Sequence, residues 1–87
     1  MIILLYKRNW DLVTDGSCVF SKANKDGYKD SYFGSFSYFK RYVSHYDLYD
    51  KLTDAGKGVY DVAKREVWIS ELKNKVKKYI AEVENKQ

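Results

Sequence analysis

Residues 28–49, YKDSYFGSFSYFKRYVSHYDLY, contain the change of hydrophobic period that decides the fold, and nine of them are tyrosine or phenylalanine. Before Gly34 the pattern is that of a strand, with Tyr28 and Tyr32 pointing one way and Phe33 the other. After Gly34 the aromatic residues recur every three or four positions, which is typical of an amphipathic helix. We therefore expect a strand that ends near Gly34 and is followed directly by a helix.

The helix predicted after Gly34 covers residues 35–55. Ser35 or Ser37 can cap its start, and Gly56 and Gly58 offer a stop with positive φ. Its apolar side would carry Phe36, Phe39, Tyr42, Val43, Tyr46 and Tyr49, and its polar side Lys40, Arg41, Ser44 and Lys51.

Upstream, two runs with strand character flank Asp15-Gly16, namely residues 10–14 and 17–23. Asp-Gly supplies the two positive φ angles of a type I′ turn, so we expect a β-hairpin with a two-residue loop. Its register would place Trp10, Leu12 and Val19 on one face and Val13, Cys18 and Phe20 on the other.

A second turn signal at residues 24–27 would lead into a third strand over residues 28–33. Residues 2–6 are either a separate strand or the early part of a long first strand. At the other end, residues 69–84 repeat apolar positions with helical spacing at Ile69, Leu72, Val76, Tyr79, Ile80 and Val83. The start of that helix, near Asp61 or near Ser70, is left open, because residues 59–68 fit either an early helical turn or a short extended segment.

These patterns predict one α+β domain of 87 residues, with a three- or four-stranded antiparallel sheet and two amphipathic helices on one face. Residues 1–34 would form the sheet region, 35–55 the first helix, 56–68 a junction and 69–84 the second helix. The core would join Phe39, Val43 and Tyr46 to Leu72, Val76 and Ile80.

The net charge of +4 favours weak attraction to polyanions. The possible nucleic-acid contacts are Lys64, Arg65, Lys73 and Lys77, although the lysines of the last helix are spread around it as on a solvated helix. Basic and aromatic residues also interleave in residues 6–10 and 38–42, and proteins that bind single strands combine stacking rings with cationic grooves.

Neither His45 nor Cys18, each the only residue of its type, has the partners that chemistry needs. A zinc site requires three or four His or Cys ligands, and a nucleophilic thiol requires a neighbouring base or cation. Turns and helical ion pairs account for most carboxylates. We expect no catalysis, no metal and no cofactor.

The apolar run at residues 1–5 is too short for a signal peptide, and its positive charges follow the run instead of preceding it. No stretch approaches the ~20 apolar residues that cross a bilayer. One cysteine fits a reducing compartment. The expected location is the cytoplasm, with no membrane partner.

Residues 10–16 (WDLVTDG), the Lys25-Asp26-Gly27 turn and residues 32–36 (YFGSF) ahead of an amphipathic helix resemble an uncharacterised family of small phage and prophage proteins. The resemblance covers roughly residues 6–50. It implies a sheet-and-helix fold. By analogy with small accessory proteins of such elements, anti-CRISPR proteins among them, it implies a protein that binds and inhibits a host protein or nucleoprotein machine.

The sequence thus predicts a stoichiometric binder of a host protein, in a host cytoplasm if the chain is phage-encoded, with a small basic nucleic-acid-binding module as the alternative. Since helices cover one face of a sheet, the other face should keep apolar area exposed beside charged residues, the usual anatomy of a recognition site. The predicted contact residues are Arg8, Trp10, Tyr28, Lys29 and Tyr32.

Overall fold

The computed structural model describes residues 2–66 and 68–85, without the side chain of Ile69. The strands are β1 (Ile2–Tyr6), β2 (Trp10–Thr14), β3 (Val19–Ala23) and β4 (Ser31–Gly34). The helices are α1 (Phe36–Tyr46), α2 (Asp54–Arg65) and α3 (Ile69–Asn85), with a 3-10 turn at Tyr49–Lys51. The strands form one antiparallel sheet in the order β1-β2-β3-β4. The predicted α+β class with an antiparallel sheet is confirmed, and residues 2–6 are a separate strand.

The connection between β2 and β3 is longer than the predicted two-residue turn. Thr14 pairs with Val19, so four residues lie between the strands. Gly16 has a φ of 100°, but Asp15 does not have the positive φ that a type I′ turn requires. Instead, the Thr14 hydroxyl donates to the carbonyl oxygen of Cys18 (2.7 Å) and accepts from the Gly16 amide (3.0 Å). Side-chain hydrogen bonds thus shape this loop.

The strand predicted over residues 28–33 begins only at Ser31. The Asp30 carboxylate accepts a hydrogen bond from the Ala23 amide at 2.8 Å. The Ala23 amide is therefore bonded to a side-chain oxygen instead of a backbone carbonyl of the facing strand. The backbone ladder between β3 and β4 ends at this point. The turn predicted at residues 24–27 lies within the resulting loop, where Gly27 has a φ of 90°.

The first helix ends at Tyr46, nine residues before its predicted end. Asp47 adopts the left-handed conformation (φ 53°, ψ 53°), which aspartate tolerates better than most residues. The Leu48 amide then donates to the carbonyl oxygen of Val43 at 3.0 Å, and Leu48 packs against the core. This is a Schellman-like stop made without glycine.

The predicted junction at residues 56–68 is mostly helical, so there are three α-helices within the described residues instead of two. Gly56 and Gly58 do not stop a helix but lie inside α2. A Cβ atom on Gly56 would lie 2.1 Å from the carbonyl oxygen of Leu4, and one on Gly58 would lie 2.2 Å from the Tyr79 ring. Gly56 is needed for the close approach of α2 to the β1 backbone, whereas at Gly58 the obstruction is the end of a side chain that can move.

The hydrophobic core joins one face of the sheet to all three helices. A bulge between Ile3 and Leu5 in β1 accompanies the burial of two successive residues, Leu4 and Leu5. Phe39 and Val43 are core residues as predicted, whereas Tyr46 is 60% exposed. The other buried members are Leu12, Val19, Phe36, Leu52, Val59, Val62, Ala63, Leu72, Val76 and Ile80. Ile69, an apolar position of the predicted last helix, lies outside the described side chains.

Candidate binding surfaces

The second face of the sheet carries a row of apolar side chains that crosses all four strands. Strand pairing places Ile3 beside Val13, Val13 beside Phe20 and Phe20 beside Tyr32. Val13 is buried within the row, whereas the Tyr32 side chain is 64% exposed. The rings of Phe20 and Tyr32 meet edge to face, with centroids 6.1 Å apart. We call Ile3, Val13, Phe20 and Tyr32 the apolar row.

A shallow groove lies along this row, and all its lining residues belong to β2, β3, β4 and the loop before β4. Val13, Phe20 and Tyr32 form its apolar floor, and Lys22 and Asp30 contribute one charge of each sign. An apolar centre with a mixed-charge rim is the composition of protein interfaces.

The structure brings only one of the five predicted contact residues, Tyr32, to this groove. Trp10 is the first residue of β2, on the core side of the sheet, and its Nε1 donates to the carbonyl oxygen of Lys29 at 3.2 Å. The Tyr28 ring packs edge-on against Trp10 at 4.8 Å between centroids. Trp10, Tyr28 and Lys29 therefore hold the loop between β3 and β4 in place. Arg8 is exposed in the connection between β1 and β2.

A second aromatic surface lies on the outer side of α1. Tyr38, Tyr42 and Tyr46 are spaced four residues apart, and we call them the tyrosine stripe. Phe33 supports the stripe, with its ring centroid 5.2 Å from Tyr38 and 5.1 Å from Tyr42. Tyr42 contacts Tyr46 at 5.1 Å. Tyr38 and Tyr46 are 46% and 60% exposed.

Cationic side chains accompany the stripe. The Lys7 ammonium donates to the Tyr42 hydroxyl at 2.7 Å and lies 5.0 Å from the centroid of that ring. Arg41 and His45 line the same shallow depression as the three tyrosines. His45 meets the Tyr46 ring edge to face at 4.6 Å. The interleaved basic and aromatic residues of 38–42 are thus divided: Phe39 lies in the core, Tyr42 is half-buried against it, and Tyr38 and Arg41 are exposed.

Sequence reasoning did not find the stripe as a surface, because a helical wheel places Tyr42 and Tyr46 near Phe39 and Val43. The wheel carries no information about distance along the axis. Tyr46 is the last residue of α1, and the chain reverses immediately after it, so that Leu48 reaches the core instead. The four-residue spacing from Tyr38 was the available signal.

The four predicted nucleic-acid contacts fall on two helices. Lys64 and Arg65 are exposed in the last turn of α2. Lys73 and Lys77 lie on α3 beside the loop between β2 and β3, since the Lys77 Cγ would be 3.2 Å from a Cβ on Gly16 and the charge of Lys73 acts on Cys18. That loop also carries Asp15, whose charge opposes theirs. Nearby, Lys75 pairs with Glu66 at 2.5 Å, which lowers the pKa of that carboxyl group.

The surroundings of the Cys18 thiol disfavour its ionised form. Partial burial raises the pKa of the Cys18 thiol, and the charge of Asp15 adds to this rise while Lys73 opposes it. A raised pKa reduces the thiolate fraction, and the thiolate is the reactive species. Within residues 2–66 and 68–85, no group of three or more His, Cys, Asp or Glu side chains is placed to hold a metal ion.

None of the described helices combines the length and the apolar character needed to cross a membrane. Comparison of the chain with protein-family models, with curated proteins and with solved structures finds no match.

Proposed function

We propose that the chain is a non-catalytic protein-binding domain that engages an extended segment of a partner protein at the groove of the apolar row. The observation that carries the proposal is the exposure of Tyr32 beside Phe20 on a sheet face whose groove is lined by strand and loop residues. Tyrosine is among the residues most often found at the centre of protein interfaces.

The two sheet edges differ, and the difference supports an extended partner. The outer edge of β1 is occupied, because Leu5 forms a bridge with Leu52 and the Thr53 amide donates to the carbonyl oxygen of Leu4 at 3.0 Å. β4 is the other edge and pairs with β3 alone among the described strands. An extended peptide can add to such an edge through its backbone, with side chains in adjacent pockets giving specificity.

The charges beside the groove favour a protein over a polyanion. Asp30 would repel phosphate groups, whereas Lys22 and Asp30 together can pair with the mixed charges of a protein surface. The inhibitory role towards a host machine, the phage origin and the cytoplasmic location remain predictions that rest on the sequence resemblance and on composition.

The test compares Tyr32→Ala with Tyr46→Ala, two exposed tyrosines on different elements. Each tagged variant captures proteins from candidate host extracts, and the recovered partner is purified and titrated against both. Tyr32→Ala should weaken binding by about 1 to 3 kcal/mol, Tyr46→Ala should not, and the amides of Ser31–Gly34 should gain hydrogen-exchange protection in the complex.

Equal affinity of folded Tyr32→Ala and wild type for the purified partner would refute the groove as the binding site. If Tyr32→Ala loses binding but the β4 amides of wild type exchange at the same rate in the complex as in the free protein, the groove is the binding site and the partner does not add as a strand to β4.

A further inference from the structure

A feature that the groove does not explain is the tyrosine stripe of α1. The outer two tyrosines, Tyr38 and Tyr46, are about half or more exposed, whereas Tyr42 between them is half-buried and packs against the core. Successive members are separated by about 6 Å along the axis, so that the stripe is roughly 12 Å long. A few nucleotides at the roughly 3.4 Å rise of a stacked strand match that length.

The stripe differs from the groove in the sign of its charges. The residues that line its depression are Tyr38, Arg41, Tyr42, His45 and Tyr46, none of which is acidic. Lys7 adds a cation from the β1–β2 connection, fixed by its hydrogen bond to the Tyr42 hydroxyl. The nearest acid in sequence is Asp47, which follows the last turn of α1.

We propose that the tyrosine stripe, together with Lys7 and Arg41, is a binding site for single-stranded nucleic acid. Bases stack on the exposed rings, and the two cations contact the phosphates. Stacking on aromatic side chains is tolerant of sequence because every base has a π-face. This site goes beyond the proposed protein contact and lies on a different element, so that either can fail without the other.

Rings and cations together favour an unpaired strand over a duplex. A duplex keeps its bases stacked on one another and presents mainly phosphates, so the tyrosines would contribute little to its binding. A cationic surface without the rings would bind both forms in proportion to their charge. A preference for the single strand is therefore the expected signature of the stripe.

The experiment measures fluorescence anisotropy of a labelled twelve-nucleotide oligo(dT) and oligo(U), and of a twelve-base-pair DNA duplex, at several salt concentrations. We expect micromolar binding of the single strands at low salt and weaker binding of the duplex. The double variant Tyr38→Ala/Tyr46→Ala should lose roughly tenfold or more in affinity, given the typical contribution of base stacking. Arg41→Gln should reduce the salt slope by about 0.7, the value for one phosphate contact on a single strand.

Two controls are matched to these variants. Tyr6→Ala removes a tyrosine that is 66% exposed and lies outside the stripe, so it should bind as wild type. Lys73→Gln/Lys77→Gln removes two cations of α3 and should leave the salt slope unchanged. Tyr32→Ala should also retain oligonucleotide binding, which separates this site from the groove.

Three results would overturn the proposal: no anisotropy change with any single strand at low salt, binding of the duplex at least as tight as that of the single strands, or loss of binding in the α3 variant but not in the stripe variant. If the wild-type chain binds no oligonucleotide and Tyr38→Ala/Tyr46→Ala loses protein capture, the stripe is assigned to a protein partner instead.

Discussion

Gly56 of α2 lies against the backbone of Leu4 in β1, so close that a Cβ atom on the glycine would be 2.1 Å from the Leu4 carbonyl oxygen. That oxygen accepts the Thr53 amide at 3.0 Å, and the Thr53 hydroxyl accepts the Gly56 amide at 3.0 Å as the helix cap. The start of α2 is therefore joined to the edge of the sheet by a contact that only glycine permits.

Gly56→Ala should lower the free energy of unfolding by roughly 1 to 3 kcal/mol, the usual cost of overpacking. Alanine has a helix propensity about 1 kcal/mol better than glycine, but the obstructing atom belongs to a hydrogen-bonded strand and cannot move aside. Urea denaturation, monitored by circular dichroism, measures the difference.

Gly58→Ala is the matched control within the same helix. Its obstruction is the ring of Tyr79, a side chain that can rotate, so the cost should be smaller. In a Tyr79→Ala background the same substitution should become neutral or stabilising, because the helix propensity gain remains. Equal destabilisation by both glycine substitutions would contradict this difference between backbone and side-chain obstruction.

Phe39→Ala should cost on the order of 3 to 5 kcal/mol, the range for truncation of a buried phenylalanine. Phe39 is fully buried, and the loss is comparable to the whole stability of a small domain. Tyr46→Ala, four-tenths buried at the end of the same helix, should stay within about 0.5 kcal/mol of wild type, as surface substitutions usually do. Thermal melts of both variants measure this, and similar melting temperatures for the two would show that the faces of α1 are assigned wrongly.

The elements that the sequence could predict are those whose hydrophobic period is long and regular. Leu72, Val76 and Ile80 specify α3, and the alternation around Leu12 and Val19 specifies the hairpin, because burial on one face requires such repeats. The stop at Asp47 and the path of α2 were not predictable in this way. Glycine after a periodic segment predicts a helix stop, but Gly56 and Gly58 lie inside α2, where a Cβ atom would meet residues that are distant in sequence, Leu4 and Tyr79.

The candidate surfaces show the same limit. Tyr32 was found because strand alternation alone places it opposite Phe33. Strand position assigned Trp10 and Tyr28 to the same recognition surface as Tyr32. The ladder stops at the Asp30 side chain, however, and the two rings pack on each other away from the groove, with Tyr28 still 43% exposed. Side-chain hydrogen bonds that end a ladder leave no periodic signal in a sequence.

Tyr49 should make the fold sensitive to alkaline pH. Its hydroxyl donates to the Asp61 carboxylate at 3.3 Å. Partial burial raises the pKa of Tyr49, and the charge of Asp61 and this hydrogen bond raise it further. The folded chain therefore keeps the proton at a pH where the unfolded chain, with a tyrosine pKa of about 10, has lost it. Since the unfolded state then binds fewer protons, the free energy of unfolding falls as pH rises through and above that value, while below it the contribution is fully present.

Tyr49→Phe should remove part of this dependence. Urea midpoints at pH 7, 9, 10 and 11 should decline less steeply for the variant than for wild type, although at neutral pH the variant loses the hydrogen bond to Asp61. The decline does not vanish, because burial and the charges of Asp54 and Asp61 also raise the pKa of Tyr79. The ultraviolet absorbance of tyrosinate is measured against pH in wild type and in Tyr49→Phe. Subtracting the second curve from the first gives the titration of Tyr49 alone. A difference curve with its midpoint at or below that of free tyrosine would mean that Tyr49 and Asp61 do not interact as the structure places them.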